Sequence, residues 1–178
     1  MAQFTIKHTP IPGLVEVFPT IHEDERGYFM ETYHEQIFSA IGIPYRFIQD
    51  NQSRSVKGVL RGLNFQKTKP QAKLVRVLSG QVFDVAVDLR PSSPTYKKWY
   101  GVTLCAEQKN QFFIPEGFAH GFLVLTEIAE FAYKCSNFYD RSDEAGILWN
   151  DPAIGIEWPD IGMEPIISDK DRVHPLLK

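Results

Sequence analysis

The stretch KLVRVLSGQVFDVAVDLR, residues Lys73 to Arg90, sets the architecture of the chain. From Lys73 to Leu78 the residues alternate, with Leu74, Arg76 and Leu78 on one face and Lys73, Val75 and Val77 on the other, which is the two-residue period of a strand. Ser79-Gly80 breaks the run. Phe83, Val85, Val87 and Leu89 then alternate against Asp84, Ala86 and Asp88, so the pattern predicts two strands joined as a hairpin. Outward from this block, Gln111 to Ile114, Gly121 to Leu125 and Glu130 to Cys135 read as further short strands, the first two separated by the turn Pro115-Glu116-Gly117. Only Glu31 to Ala40 has a helical period, with Tyr33, Ile37 and Ile41 four apart and Gly42 as terminator. The tail from Trp149, punctuated by Asp151-Pro152, Trp158-Pro159 and Glu164-Pro165, reads as an ordered, irregular wrap over a sheet. The expected fold is all-β, a jelly roll with one or two short helices, in a single domain covering 1–178.

Composition narrows the function classes. The 178 residues are enough to bury about 70% of the extended chain's surface in one core. Twenty-two acidic residues against 19 Lys and Arg give a net charge of −3, which argues against a surface built to coat nucleic acid. Two cysteines, Cys105 and Cys135, make no disulfide framework and no CxxC pair, which fits a reducing cytoplasm. No stretch approaches the ~18 apolar residues of a membrane span, and the N-terminus has no signal-peptide pattern. The expected location is cytoplasmic, with neither membrane nor nucleic acid as partner.

Three stretches mix charge, glycine and apolar residues in ways that a plain sandwich does not need. They are Asp24-Glu25-Arg26-Gly27-Tyr28-Phe29-Met30-Glu31, then Gln49-Asp50-Asn51 leading to Leu60-Arg61-Gly62-Leu63-Asn64-Phe65-Gln66, and Ile114-Pro115-Glu116-Gly117-Phe118-Ala119-His120-Gly121-Phe122. The last has the Pro-x-Gly-x-x-His form of the second half of a cupin motif. With Lys73-Leu74-Val75, Phe83 to Arg90, Ser93-Pro94-Thr95, Trp149-Asn150-Asp151 and Ser168-Asp169-Lys170-Asp171, these segments closely resemble the dTDP-4-dehydrorhamnose 3,5-epimerase family, from about Phe18 to Asp171.

The resemblance implies a homodimeric, cupin-type jelly roll that needs no metal and no cofactor. Its substrate would be a nucleotide-diphosphate 4-keto sugar, inverted at C3 and/or C5. Such a reaction needs a base to take the proton next to the carbonyl, electrostatic stabilisation of the enolate, and an acid on the opposite face. By motif alignment Tyr133 matches the proton donor, Asp171 the acid that orients the base, and Lys73 the cation near the enolate oxygen. Arg26, Glu31, Gln49, Asn51, Arg61, His120, Glu144 and Lys170 match substrate and pyrophosphate contacts, and Tyr139 a second active-site tyrosine.

At the base position the chain departs from the pattern. The family motif Arg-Gly-Leu-His-Phe carries its general base as the histidine; here Asn64 stands between Leu63 and Phe65. An amide has no lone pair of useful basicity at neutral pH, whereas an imidazole titrates near 6.5. Loss of a positioned base costs about 10²–10⁴ in rate. Asparagine still keeps one of the imidazole's hydrogen bonds, so the pocket is expected to bind. Turnover of this chain is therefore expected to be strongly impaired. The alternatives are a non-catalytic sugar-nucleotide binding protein, or an epimerase acting on one carbon or on another nucleotide sugar such as a GDP-heptose.

Each residue also has a plainer reading. Tyr133 suits a sheet whose hydroxyl finds a local partner, and Lys73 suits a strand end where a lysine snorkels. Arg61 and Arg26 suit solvated turns, although a guanidinium fork also matches pyrophosphate. His120 invites a metal, but no His-x-His pair with a following carboxylate exists to complete a cupin metal site. His8 and His174, close to the termini, are expected on the surface, and His22 and His34 have no assigned task.

Overall fold

The computed structural model describes residues 2–177. Fourteen strands and two short helices follow one another along these residues. The strands are β1 (Phe4–His8), β2 (Val15–Pro19), β3 (His22–Asp24), β4 (Gly27–Phe29), β5 (Gln49–Val56), β6 (Val59–Gln66), β7 (Lys73–Ser79) and β8 (Gln81–Asp88). They continue with β9 (Trp99–Cys105), β10 (Gln111–Ile114), β11 (Phe118–Val124), β12 (Ile128–Cys135), β13 (Glu144–Gly146) and β14 (Ile166–Ile167); the helices are α1 (Glu35–Ala40) and α2 (Asp169–Arg172).

Two sheets face each other, as in a jelly roll. One has the order β1-β2-β10-β7-β12-β5; the other has β13-β6-β11-β8-β9, with β14 added parallel to β6. A separate hairpin, β3-β4, stands apart from both. The alternation in 73–90 reads correctly for faces: Val75 and Val77 lie in the inner core with Val82 and Ala86, while Val85 and Val87 lie in an outer cluster. The expected pairing does not hold. β7 pairs with β10 and β12, and β8 with β9 and β11, so the chain crosses from one sheet to the other at Gly80 instead of folding back as a hairpin. Gly80 has φ +77°, and a Cβ there would run into the carbonyl of Ile128, so the crossing needs glycine.

Both outer faces are covered. On the first sheet, Phe4, Val17, Leu74 and Phe113 pack with Phe38 from α1. The helix is shorter than its sequence pattern: His34 is its N-cap, its ring accepting from Ile37 N, and the extended backbone there (φ −147°) stops it from reaching Glu31. On the second sheet the tail wraps as expected, with Ile154 and Trp158 over Val85 and Val87. Among the described residues no helix is long and apolar enough to cross a membrane.

Candidate active site

Between the two sheets lies a cavity of about 430 Å³, in the size range of small-ligand sites. β5, β7 and β12 supply one wall, with Gln49, Asn51, Lys73, Tyr133 and Cys135; β6 and β11 supply the other, with Arg61, Asn64, His120 and Phe122. Tyr139, Glu144, Lys170 and Asp171 close the rim. The strand register explains the grouping: Tyr133 lies opposite Asn51 and Val75, and His120 lies opposite Asn64. Tyr133 and Asn64 thus line one space from opposite sheets.

Lys73 is the inner-face end of β7, where alternation points it inward with Val75 and Val77. Burial lowers its pKa, against the pull of Cys135, Asp84 and Glu144. Its ammonium makes no hydrogen bond or ion pair among the described residues. Burial likewise raises the Tyr133 pKa, and the nearby Arg61 works against the rise. The Tyr133 hydroxyl is also without a hydrogen-bond partner among the described residues, so a cation and a phenol both remain free for a ligand.

Other groups are held in networks. Arg61 donates through Nε and Nη2 to Ser55 Oγ, at 3.2 Å each. Gln49 Nε2 donates to Asn51 Oδ1 at 3.1 Å, while its Oε1 accepts from Tyr139 N at 2.9 Å. Glu144 accepts from the Tyr139 hydroxyl at 3.1 Å and from Lys170 Nζ at 2.6 Å. Asp171, buried on α2, accepts from Gly62 N at 3.2 Å and from Asn64 Nδ2 at 3.4 Å. Phe122 and Phe131 stack at 4.2 Å between centroids and give the cavity an apolar floor.

Two expected contacts lie elsewhere. Arg26 sits on the β3-β4 hairpin, its guanidinium paired with Asp24, and neither it nor Glu31 lines this cavity. Two side chains that the sequence reading passed over lie behind its lining, one against His120 and one against Asn64. Asp84 is fully buried against His120, and the signal for it was present, since alternation put Asp84 on the same apolar inner face as Ala86. His174 is the other. It is not a surface residue: 10% of its side chain is exposed, and its Nε2 lies 3.0 Å from Asn64 Oδ1. The tail that carries it turns back over β13 instead of running into solvent. No group of three or more His, Cys, Asp or Glu among the described residues is arranged to hold a metal ion.

Residues 8–178 match the family described as dTDP-4-dehydrorhamnose 3,5-epimerase. The dTDP-4-dehydrorhamnose 3,5-epimerase of Methanothermobacter thermautotrophicus is 54% identical over 173 residues, covering 97% of this chain and 94% of that protein. Among solved structures, a dTDP-6-deoxy-D-glucose-3,5-epimerase from Legionella pneumophila, in complex with dTDP-4-keto-L-rhamnose, superposes with a TM-score of 0.94 at 49% identity, covering 97% of this chain and 92% of that one. A double mutant of a 3'-monoepimerase from Streptomyces bikiniensis, with one histidine changed to asparagine and one tyrosine to phenylalanine, is in complex with dTDP; its TM-score is 0.88 at 34% identity, covering 95% and 85%.

Proposed function

The chain belongs to the dTDP-4-dehydrorhamnose 3,5-epimerase family, isomerases acting on carbohydrates, and from that membership we propose how this cavity works and where it is deficient. The cavity takes a dTDP-linked 4-keto-6-deoxy sugar. The ring lies between Tyr133 and Asn64, with Lys73 near the carbonyl oxygen, where its ammonium stabilises an enolate. Tyr133 delivers a proton to one face. On the other face Asn64 offers an amide, and Asp171 behind it has its oxygens occupied by N–H donors. Proton abstraction is therefore slow, and this chain binds its sugar nucleotide better than it converts it. The observation that carries the reading is the meeting of Tyr133 and Asn64 across a single cavity that also holds Lys73.

Asn64→His tests it. Turnover of dTDP-4-keto-6-deoxyglucose is expected to rise by about 10²–10⁴, and Tyr133→Phe in that background to lower it again. No gain on restoring histidine would mean that position 64 is not the base position. Ring-proton exchange in heavy water separates residual enzymology from pure binding, and exchange at one carbon only would identify a mono-epimerase. The dTDP-bound relative with a His-to-Asn and a Tyr-to-Phe change supports the binding reading, since that protein is seen with its nucleotide.

The protein works as a homodimer in the cytoplasm. The dimer is supported by the β3-β4 hairpin, which carries Arg26 away from its own cavity and exposes Tyr28 and Phe29. The location is supported by two buried free cysteines.

A further inference from the structure

The C-terminal segment leaves α2 and is tied down on either side of His174. Its N-terminal end is the helix capped by Ser168. Beyond the histidine, Leu148 N donates to Pro175 O at 2.9 Å and Leu177 N donates to Asp151 Oδ2 at 2.5 Å. Between these anchors His174 turns inward, placing Nε2 3.0 Å from Asn64 Oδ1 and 3.3 Å from Asp171 Oδ1. Its ring lies over Gly146, the residue opposite Asn64 in the β13–β6 register. A Cβ at 146 would overlap three atoms of that ring, so the niche behind Asn64 accepts an imidazole only because residue 146 has no side chain.

An amide oxygen and a carboxylate oxygen are both acceptors, so Nε2 carries a hydrogen and donates. Asn64 is thereby held one way round, Oδ1 to the imidazole and Nδ2 to Asp171. The reversed amide would set its oxygen against the carboxylate and its N–H against the N–H of His174. In the fixed orientation one Nδ2 hydrogen points at Asp171, and the other is left for whatever occupies the cavity.

We propose that His174 is a positioning residue: it locks Asn64 as a hydrogen-bond donor to the sugar, and its ring stands 3.3 Å from the Asp171 oxygen that an imidazole at position 64 would need, crowding it. This rests on the sugar-nucleotide reading above and deepens it. Two consequences follow. Affinity for the sugar, as distinct from the nucleotide, depends on His174. Positions 64 and 174 are also coupled, because two imidazoles would contend for one carboxylate oxygen.

The test uses the full chain with dTDP and dTDP-4-keto-6-deoxyglucose in calorimetry, together with heavy-water exchange. His174→Ala is expected to weaken the sugar nucleotide about tenfold, the scale of one hydrogen bond, while leaving dTDP within about twofold. His174→Gln, which keeps an N–H for Asn64, recovers most of that loss, whereas His174→Met, of similar size but without an N–H, does not, as a merely space-filling role would not allow. In the Asn64→His background, adding His174→Ala raises exchange a further tenfold or so. Equal weakening for both ligands, no rescue by glutamine, or no gain in the double variant would overturn the proposal. So would loss of residual exchange on His174→Ala alone, which would make His174 the base itself. If the parent chain binds neither compound, the sugar-nucleotide reading fails first, and the proposal with it.

Discussion

Asp84 holds His120 with both carboxylate oxygens, at 3.0 and 2.9 Å from Nε2, in a pair almost sealed from solvent. Burial raises the Asp84 pKa, and His120 opposes the rise by charge and by hydrogen bonding. The pair fixes one nitrogen of His120 on the cavity wall. Removing the imidazole leaves a buried carboxylate without its partner, so His120→Ala is expected to cost about 3–5 kcal/mol in urea denaturation. Asp84→Asn, which removes the charge and retains an acceptor, costs less, about 1–3 kcal/mol. Equal losses in the two variants would show that the packing of the imidazole against Phe131 adds nothing to the contact with the Asp84 carboxylate.

Lys73 trades stability for chemistry. Its folded pKa lies below the usual lysine value because burial disfavours the charged form. A depressed folded pKa means that the unfolded chain binds the proton more tightly. The group's contribution to stability is therefore full above about pH 10.5 and lost as pH falls through the folded value. At neutral pH the ammonium is a burden. Lys73→Met is expected to raise stability by about 0.5–2 kcal/mol at pH 7, with the gain shrinking toward pH 10.5. In the Asn64→His background the same change lowers turnover by about 10²–10³. A variant that loses stability would mean that the amine is satisfied in the folded protein.

Much of this site was readable along the chain, and the exceptions have physical causes. Alternation in 73–88 placed Lys73 on the face of Val75 and Val77 and sorted the two faces of both strands, because side-chain direction is a local property of extended backbone. It did not choose partners: β7 and β8 lie in different sheets, since a two-residue period specifies a face and leaves the neighbouring strand open. Family motifs gathered Asn64, Lys73, His120, Tyr133 and Asp171, and one cavity contains all five. His174 was out of reach of such reasoning. It meets Asn64 across 110 residues of sequence, through a tail with no periodicity, and a histidine near a terminus ordinarily faces water.

Asp88 provides a pH signature separate from the cavity. Burial would raise its pKa, but hydrogen bonds from Arg90, Ser93 and Thr95 outweigh that and hold it well below the usual carboxylate range. The contacts are short: Arg90 Nε and Nη2 at 2.8 Å, Ser93 Oγ at 2.5 Å and Thr95 Oγ1 at 2.7 Å. Because the folded pKa is depressed, the stabilisation is present above the unfolded value near 3.9 and is lost as pH falls below it toward the folded one. Asp88→Asn is expected to cost about 1.5–3 kcal/mol at pH 7, and the gap to the parent should narrow below about pH 4. A constant gap from pH 7 to pH 3 would exclude the charge as its source.

Arg26 lies outside the cavity of its own chain, so it can meet a ligand there only if two chains share a site. The β3-β4 hairpin holds it in solvent beside Asp24, with Phe29 66% and Tyr28 57% exposed. If a second copy's hairpin completes the cavity, Arg26→Ala weakens dTDP binding with little change in the melting temperature, since the exposed pair with Asp24 contributes little. Subunit mixing then gives a sharper readout. In the Asn64→His background, a chain with Arg26→Ala and a chain with Tyr133→Phe are each poor catalysts. A mixed dimer pairs one intact cavity with one intact hairpin, so random mixing yields about a quarter of the sites fully competent. Recovery of that fraction of parent turnover requires the shared site, whereas no recovery on mixing would return Arg26 to the role of a solvated turn residue.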